Sequence, residues 1–343
     1  MSAASPSASI IIPTHQRREA LHRALLALGE QTAGAASYEV IVSVDGSSDG
    51  SEKMVASFDA PYELRVTAGP ARGRGAACNS AIELARGEVL IILDDDMQPA
   101  PGFVERHLSH HPPASQLCVM GAVPIELDGS SPHAARYVRD KFNAHLAQLA
   151  TPGHEFVPRD FYSGNASLRT ETMRAINGFS ESFTVYGNED IDLSLRLQAT
   201  GVQLAYDPDA LARQEYDKDL AALIGDTTAK GRTTVQLARS HPEVFAQLRL
   251  AAPWDGSRPW LAARAVLLWL TRRLAIVRRI AAWKAALLER LGLWRQPLFY
   301  RAVLDYAFWA GVDAELREST PEGELKGLAS DLRRGPIDLL LHR

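Results

Sequence analysis

The chain predicts an α/β fold: a parallel sheet covered by helices on both faces, followed by a helical carboxyl-terminal appendage. Between Ser9 and Ala122 short β-branched runs alternate with helical segments, the pattern of strands joined by crossover helices. One of those runs, Val89 to Leu93, is apolar without interruption, as a buried strand requires. From about Pro253 the composition turns to Leu, Ala, Trp and Arg at helical spacing.

Taken in order, residues 10–12, 40–44, 64–66 and 89–93 read as strands, and residues 18–30, 51–58 and 75–85 as the helices between them. A capping box from Asp49 to Glu52 is expected to open the second of these helices. Residues 134–149 follow as a helix and 151–158 as a Pro/Gly-bearing loop, before a second polar block at 163–201. In open α/β sheets ligands bind beyond the carboxyl ends of the strands. Three such ends stand out: Pro13-Thr14-His15-Gln16-Arg17, Asp45-Gly46-Ser47-Ser48-Asp49-Gly50 and Asp94-Asp95-Asp96.

A length of 343 residues allows one large domain with an appendage. The hydrophobic fraction, 46%, is ample for a core. With 37 basic and 41 acidic residues the net charge is -4, which offers no basic excess for a nucleic-acid partner. Cys78 and Cys118 stand far apart without metal-ligand spacing, so neither a disulfide framework nor a zinc site is expected, and a reducing, cytoplasmic setting fits. Residues 1–8, small and polar with no signal-like apolar run, read as a disordered lead.

Three consecutive carboxylates at the tip of one strand repel each other unless a cation is present. Hard oxygen ligands of this kind suit Mg2+ or Mn2+. In extended chain alternate side chains share a direction, so Asp94 and Asp96 are expected to face a ligand while Asp95 turns toward the protein. The competing reading is an acidic loop at a helix start.

Taken together, these strand ends resemble family 2 glycosyltransferases of the GT-A fold, a Rossmann-like nucleotide-binding sheet. The second half strengthens the resemblance: Ser163-Gly164-Asn165-Ala166-Ser167-Leu168-Arg169, then Gly178-Phe179, then Tyr186-Gly187-Asn188-Glu189-Asp190-Ile191-Asp192. The match spans about residues 9–206 with its motifs in order. It implies an inverting hexosyltransferase that takes a sugar from a nucleoside-diphosphate donor, UDP-sugar favoured, to an acceptor hydroxyl in polysaccharide or glycolipid synthesis.

By this resemblance Asp45 looks toward the nucleoside base, and Pro13, Thr14 and Arg17 lie over the nucleotide, with Arg17 a charge-assisted donor. Arg74, with Arg72 beside it, meets phosphate, and Asn79 stands near the donor; each arginine is equally well read as lining a flexible Gly-rich loop. Asp94 and Asp95 belong to the donor side, with Asp96 and Asp94 on Mg2+ or Mn2+. Ser163, Gly164, Asn165 and Gly187 form the loop under the sugar or acceptor, Gly164 permitting close backbone approach. Asp190 is the general base at the start of a helix and Glu189 an orienting neighbour; the alternative is that both merely cap that helix.

The chain departs from the family pattern at two points. Val44 precedes Asp45 where many relatives carry another acid, and no histidine occurs between Tyr206 and Gly231, leaving Gln214, Glu215 or no residue as a third metal ligand. His107, His110 and His111, on a polar helix end before Pro112-Pro113, read as surface histidines.

Between residues 260 and 300 the basic residues Arg264, Arg272, Arg273, Arg278, Arg279, Lys284, Arg290 and Arg295 face one acid, Glu289. They interrupt every apolar run, which argues against a transmembrane helix and leaves either a peripheral contact with anionic membrane or solvated arginines on packed helices. The expected division is therefore residues 9–250 as the catalytic domain, split at 122 into a donor half and an acceptor half, with 251–343 as the helical appendage. The competing functions are a non-catalytic sugar-nucleotide-binding scaffold and a nucleotidyltransferase. The latter is disfavoured because Pro13 to Arg17 is not a Gly-rich triphosphate loop.

Overall fold

Ile10, Ile11 and Ile12 are all fully buried, and because successive side chains of a strand point to opposite faces, both faces of their sheet must be covered. A computed structural model shows that arrangement and describes residues 6–129, 131–253, 255–273, 275–291 and 297–318, without the side chains of 272–282 and 297. The first five residues of the expected lead, Arg295, and the side chains of Arg272, Arg273, Arg278 and Arg279 lie outside the described set. The described residues fall into two compact units. One comprises the chain up to Ser131, Val138–Thr184 and Glu189–Tyr216; the other comprises Pro132–Tyr137, Val185–Asn188 and the chain from Asp217 onward.

The first unit begins with β1 (Ala8–Thr14), α1 (Arg18–Leu28), β2 (Tyr38–Asp45), α2 (Ser51–Ala56), β3 (Glu63–Gly69), α3 (Arg74–Leu84) and β4 (Val89–Leu93). There follow β5 (Met97–Pro99), α4 (Phe103–Ser109), β6 (Leu117–Gly121), β7 (Ile125–Glu126) and α5 (His133–Leu149), whose first residues count with the other unit. β8 (Asn165–Arg169), α6 (Thr170–Ala175), α7 (Glu189–Ala199), β9 (Gln203–Asp207) and β10 (Ala212–Glu215) complete it. The main sheet has the order β3-β2-β1-β4-β8-β6-β9, parallel throughout except that β8 runs against both neighbours. β5, β10 and β7 make a small second sheet. Ala8 already pairs with Tyr38 and Val89, so the first strand starts inside the segment read as a lead.

Strand parity sorts the core into two layers. Ile10, Ile12, Val40, Val42, Ile91 and Leu93 pack with Leu21, Leu25 and Leu28 of α1, while Ile11, Ile41, Leu90 and Ile92 pack with Cys78 and Ile82 of α3 and Leu193 and Leu197 of α7. Each fully buried Ile or Leu contributes roughly 1.5–3 kcal/mol, so the sheet is the stable platform and its loops are free to carry chemistry. At the amino-terminal edge Glu39 is fully buried. Burial works against its charge, but Ser9 Oγ at 2.6 Å, Arg86 N at 2.7 Å and Arg65 Nη2 at 2.6 Å overcome that and hold its pKa below the usual carboxylate value.

The capping box does not form. Asp49 accepts from Ser51 N (3.0 Å) and Ser51 Oγ (2.6 Å) through one oxygen and from Arg18 N (2.8 Å) through the other, tying the start of α2 to that of α1. The short side chain of Asp reaches its own turn and an orphan N–H of the earlier helix at once.

The second unit contains α8 (Leu220–Ser240), capped by Asp219 on Ala222 N (2.9 Å), then α9 (Arg258–Arg273), α10 (Ala275–Arg290) and α11 (Pro297–Glu318). Val235, Leu250, Leu268, Phe308, Trp309 and Val312 form its core. Arg264, 1% exposed, reaches Asp305 at 2.9 Å and stacks over Trp309 with Cζ 5.0 Å from the ring centroid. No helix among the described residues is long and apolar enough to cross a membrane.

Candidate active site

The carboxyl ends of β1, β2 and β4 deliver Thr14, Asp45 and the three aspartates to one edge of the main sheet. Asp94 is held from two sides. Its N–H donates to Gly164 O (2.9 Å), and its Oδ1 receives Arg74 Nε (3.1 Å) and Nη2 (2.7 Å). Gly164 is required by this packing, because a Cβ there would lie 2.9 Å from Asp94 Cγ and from Met97 Cε.

Arg74 opens α3 and extends the chain of contacts. Its Nη1 donates to Ser163 Oγ (2.8 Å), Ser163 Oγ donates to Asp190 Oδ1, and Arg74 Nη1 lies 3.7 Å from that same oxygen. Burial opposes the guanidinium charge, but Asp94, Asp190 and Glu189 raise its pKa well above the ordinary value. Asp94 at the tip of β4 and Asp190 in the first turn of α7 are thereby linked through one arginine and one serine. Glu189 is buried beside them and Asp192 pairs within its helix to Arg196 Nε (2.8 Å), so the acids of this turn have separate tasks.

Asp95 turns into the protein, accepting from Thr14 Oγ1 (2.7 Å). Burial, then Asp96, pushes it up to about 7. Asp96 takes Arg17 Nη1 at 2.6 Å, and the same nitrogen lies 3.5 Å from Asp95. Burial, then Asp94, raises the pKa of Asp96 as well. Gln214 Nε2 stands 3.4 Å from both Asp96 oxygens, while the Glu215 carboxylate is taken up by Arg23 (Nε at 2.7 Å) and Gln98. Of the two residues weighed as a third ligand, Gln214 is the one whose side chain lies beside the Asp96 carboxylate, while Glu215 meets Asp96 only through its backbone N–H (2.9 Å).

Acids crowded in this way favour counter-cations, and Arg74 and Arg17 already supply two. The carboxylates of Asp94 and Asp96 fit a hard divalent ion that completes its shell with phosphate oxygens and water, which Mg2+ and Mn2+ do readily. Among the described residues no group of three or more His, Cys, Asp or Glu side chains stands ready to hold a metal by itself.

Asp45 accepts from the N–H groups of Arg72 (2.7 Å) and Gly73 (2.9 Å), clasping the Gly-rich loop that leads to Arg74. With Val44, Gly69, Pro70 and Ser80 it lines a small recess. Pro13 sits in β1 opposite Ser43. Asn79 does not face this recess with its amide: Nδ2 donates to Phe179 O (3.0 Å) and Glu181 Oε1 (3.1 Å), and Oδ1 accepts from Phe179 N (2.8 Å). It pins the Gly178-Phe179 turn. Gly187 counts with the second unit, where it lies against Lys230 and Thr233.

Residues 9–171 match the model of glycosyl transferase family 2, and residues 146–216 match that described as the N-terminal domain of galactosyltransferase. Over these residues the chain is similar to glycosyltransferase family 2. A validoxylamine A glucosyltransferase from Streptomyces hygroscopicus subsp. jinggangensis is 29% identical over 226 residues, covering 58% of this chain and 53% of that one. A pre-mycofactocin glycosyltransferase from Mycobacterium tuberculosis is 29% identical over 248 residues, covering 70% and 49%. The chain thus spans about half the length of these curated relatives. A mannosyltransferase from Pyrobaculum calidifontis, solved in complex with GDP-Man and Mn2+, has the same fold with a TM-score of 0.60 at 21% identity, covering 92% of this chain and 89% of that one. The sheet is accordingly of GT-A type, with the helical part carried after it in the chain.

Two sequence expectations for this site change. Asn165 is fully buried and its amide donates to Ala122 O (3.2 Å) and Ala210 O (2.9 Å), so its side chain braces the loop from behind. His107 and His111 are buried rather than on the surface. His107 contacts Asn165 Oδ1 and Ser167 Oγ (each 2.8 Å), His111 contacts Ser167 Oγ (2.7 Å), and His110 pairs with Asp207 (2.7 Å). Helical spacing made the cluster look polar, but β8 supplies the partners from a strand far along the chain. The link through Ser163 was also missed; the signal present was an arginine placed as the first residue of a helix after a Gly-rich run, where its side chain is aimed by the turn.

Proposed function

We propose that the chain is an inverting glycosyltransferase that moves a sugar from a nucleoside-diphosphate donor, a UDP-sugar first among candidates, to an acceptor hydroxyl of a polysaccharide or glycolipid. The observation that supports this reading is the continuous link Asp94–Arg74–Ser163–Asp190, which joins the acid at the tip of β4 to the acid at the start of α7. Asp190 takes the proton of the acceptor hydroxyl, whose oxygen attacks the anomeric carbon from the face opposite the diphosphate. The bond to the diphosphate breaks in the same displacement. Arg74 holds the negative charge of the leaving group and, through Ser163, keeps Asp190 aimed. Asp94 and Asp96 would hold a Mg2+ or Mn2+ ion, which would supply Lewis-acid stabilisation of the departing phosphate. Arg17, paired with Asp96 at 2.6 Å, is the charge-assisted donor on the phosphate side. A cytoplasmic setting belongs to this reading, supported by two thiols that are both free and buried.

The test is transfer or slow donor hydrolysis by purified protein across UDP- and GDP-sugars, with Mn2+ or with chelator. Asp190→Asn is expected to abolish transfer while thermal stabilisation by donor and Mn2+ persists. Full activity of that variant, or of the chelated enzyme, defeats the mechanism. Donor binding without turnover in the unmodified protein supports the scaffold reading instead.

A further inference from the structure

Large apolar side chains are unevenly exposed. Among the described residues ten large hydrophobics are well exposed, and six of them, Val266, Trp269, Trp283, Leu287, Leu291 and Leu298, belong to the stretch from α9 to the start of α11. Three form a stripe. Trp283, Leu287 and Leu291 recur every fourth residue, and Leu291 N donates to Leu287 O (3.0 Å), so the helical turn persists to the last of them. Their exposures are 63%, 37% and 59%. On a 3.6-residue helix Arg290 falls within this stripe and Lys284 along its edge, and both are exposed.

The charge around the stripe is one-sided. Of the eight basic residues in 260–300, Arg264 is buried on Asp305, which leaves seven basic residues against one acid, Glu289. Glu289 is spent internally, its Oε1 accepting from Ala134 N (2.8 Å) and Tyr300 OH (3.1 Å), so it does not offset Lys284 and Arg290. An apolar stripe flanked by cations repels a second copy of itself, because pairing two such faces brings like charges together. It complements a surface that is apolar beneath and anionic above.

We propose that α10 lies in the interface of an anionic lipid bilayer, with Trp283, Leu287 and Leu291 among the acyl chains and Lys284 and Arg290 reaching up to headgroup phosphates. The helix lies on the membrane and does not span it, in keeping with the absence of a long apolar helix among the described residues.

The whole protein is sedimented with vesicles of phosphatidylcholine alone or mixed with phosphatidylglycerol. Binding to the mixed vesicles at low salt, weakening as salt rises and absent from phosphatidylcholine, is the expected result. Lys284→Glu with Arg290→Glu is expected to weaken it roughly tenfold or more, and Trp283→Ser with Leu291→Ser by a similar factor. These positions are exposed, so the variants keep the fold. No binding at low salt, equal binding to both vesicle types, or unchanged binding by either variant overturns the proposal. The assay contains no donor or acceptor, so its failure leaves the glycosyl-transfer reading untouched.

Discussion

Arg74 grips one oxygen of Asp94 with two nitrogens, Nε at 3.1 Å and Nη2 at 2.7 Å, and still has Nη1 left for Ser163 at 2.8 Å. A planar fork makes both contacts at once; an ammonium is a point charge and holds only one. Arg74→Lys is therefore expected to fold normally but lose about a hundredfold in kcat, because the orientation of Asp94 and Asp190 is lost together. Steady-state kinetics check this, and a variant within a few fold of the unmodified enzyme removes Arg74 from the site's central role.

Gly164 fills the space directly against Asp94. Gly164→Ala is expected to cost about 1–3 kcal/mol in denaturant unfolding, since the added methyl must displace a carboxylate fixed by Arg74. The same displacement should weaken Mn2+-dependent stabilisation by donor. If stability falls while donor and metal response stay whole, Asp94 is not part of the donor site.

Burial pushes His107 and His111 down to about 4, against an ordinary value near 6.5. The unfolded chain takes up these protons as pH falls through 6.5 while the folded protein refuses them until about 4, so the stability they confer is complete above 6.5 and drains away between those limits. The slope reaches up to roughly 1.4 kcal/mol per pH unit for each histidine. Melting temperature should drop from pH 7 to 5, and less so in His111→Gln, whose amide can still hydrogen-bond Ser167 but does not titrate. Parallel melting curves for the two proteins would contradict this.

In the second unit Asp305 accepts from Arg264, Arg249 and Trp260 Nε1 (2.7 Å). Asp305→Asn leaves a fully buried guanidinium without its counter-charge, at a cost of about 3–5 kcal/mol. Replacing the pair, Arg264→Met with Asp305→Leu, should recover most of that, because the desolvation of both charges disappears along with their attraction. Urea unfolding of the three proteins decides; a double variant no better than the single one means that the pair stabilises beyond its own desolvation.

The residue order by itself determined the sheet, since uninterrupted runs such as Val89 to Leu93 have no other way to hide both sides of a strand, and polar residues at their ends had to fall along one edge. It also singled out Asp94 and Asp96, because like charges gathered at one strand end are costly unless something binds them, whereas Asp190 stood out only through the family resemblance. Only tertiary packing decided what each neighbour does. Asn165 and Asn79 were spent on bracing loops, Asp45 on clasping the turn before Arg74, and His107 on Ser167 and Asn165 across nearly 60 positions of chain. A hydrogen bond is chosen by distance in space, and distances between strands that meet antiparallel in mid-sheet leave no periodic trace along the chain.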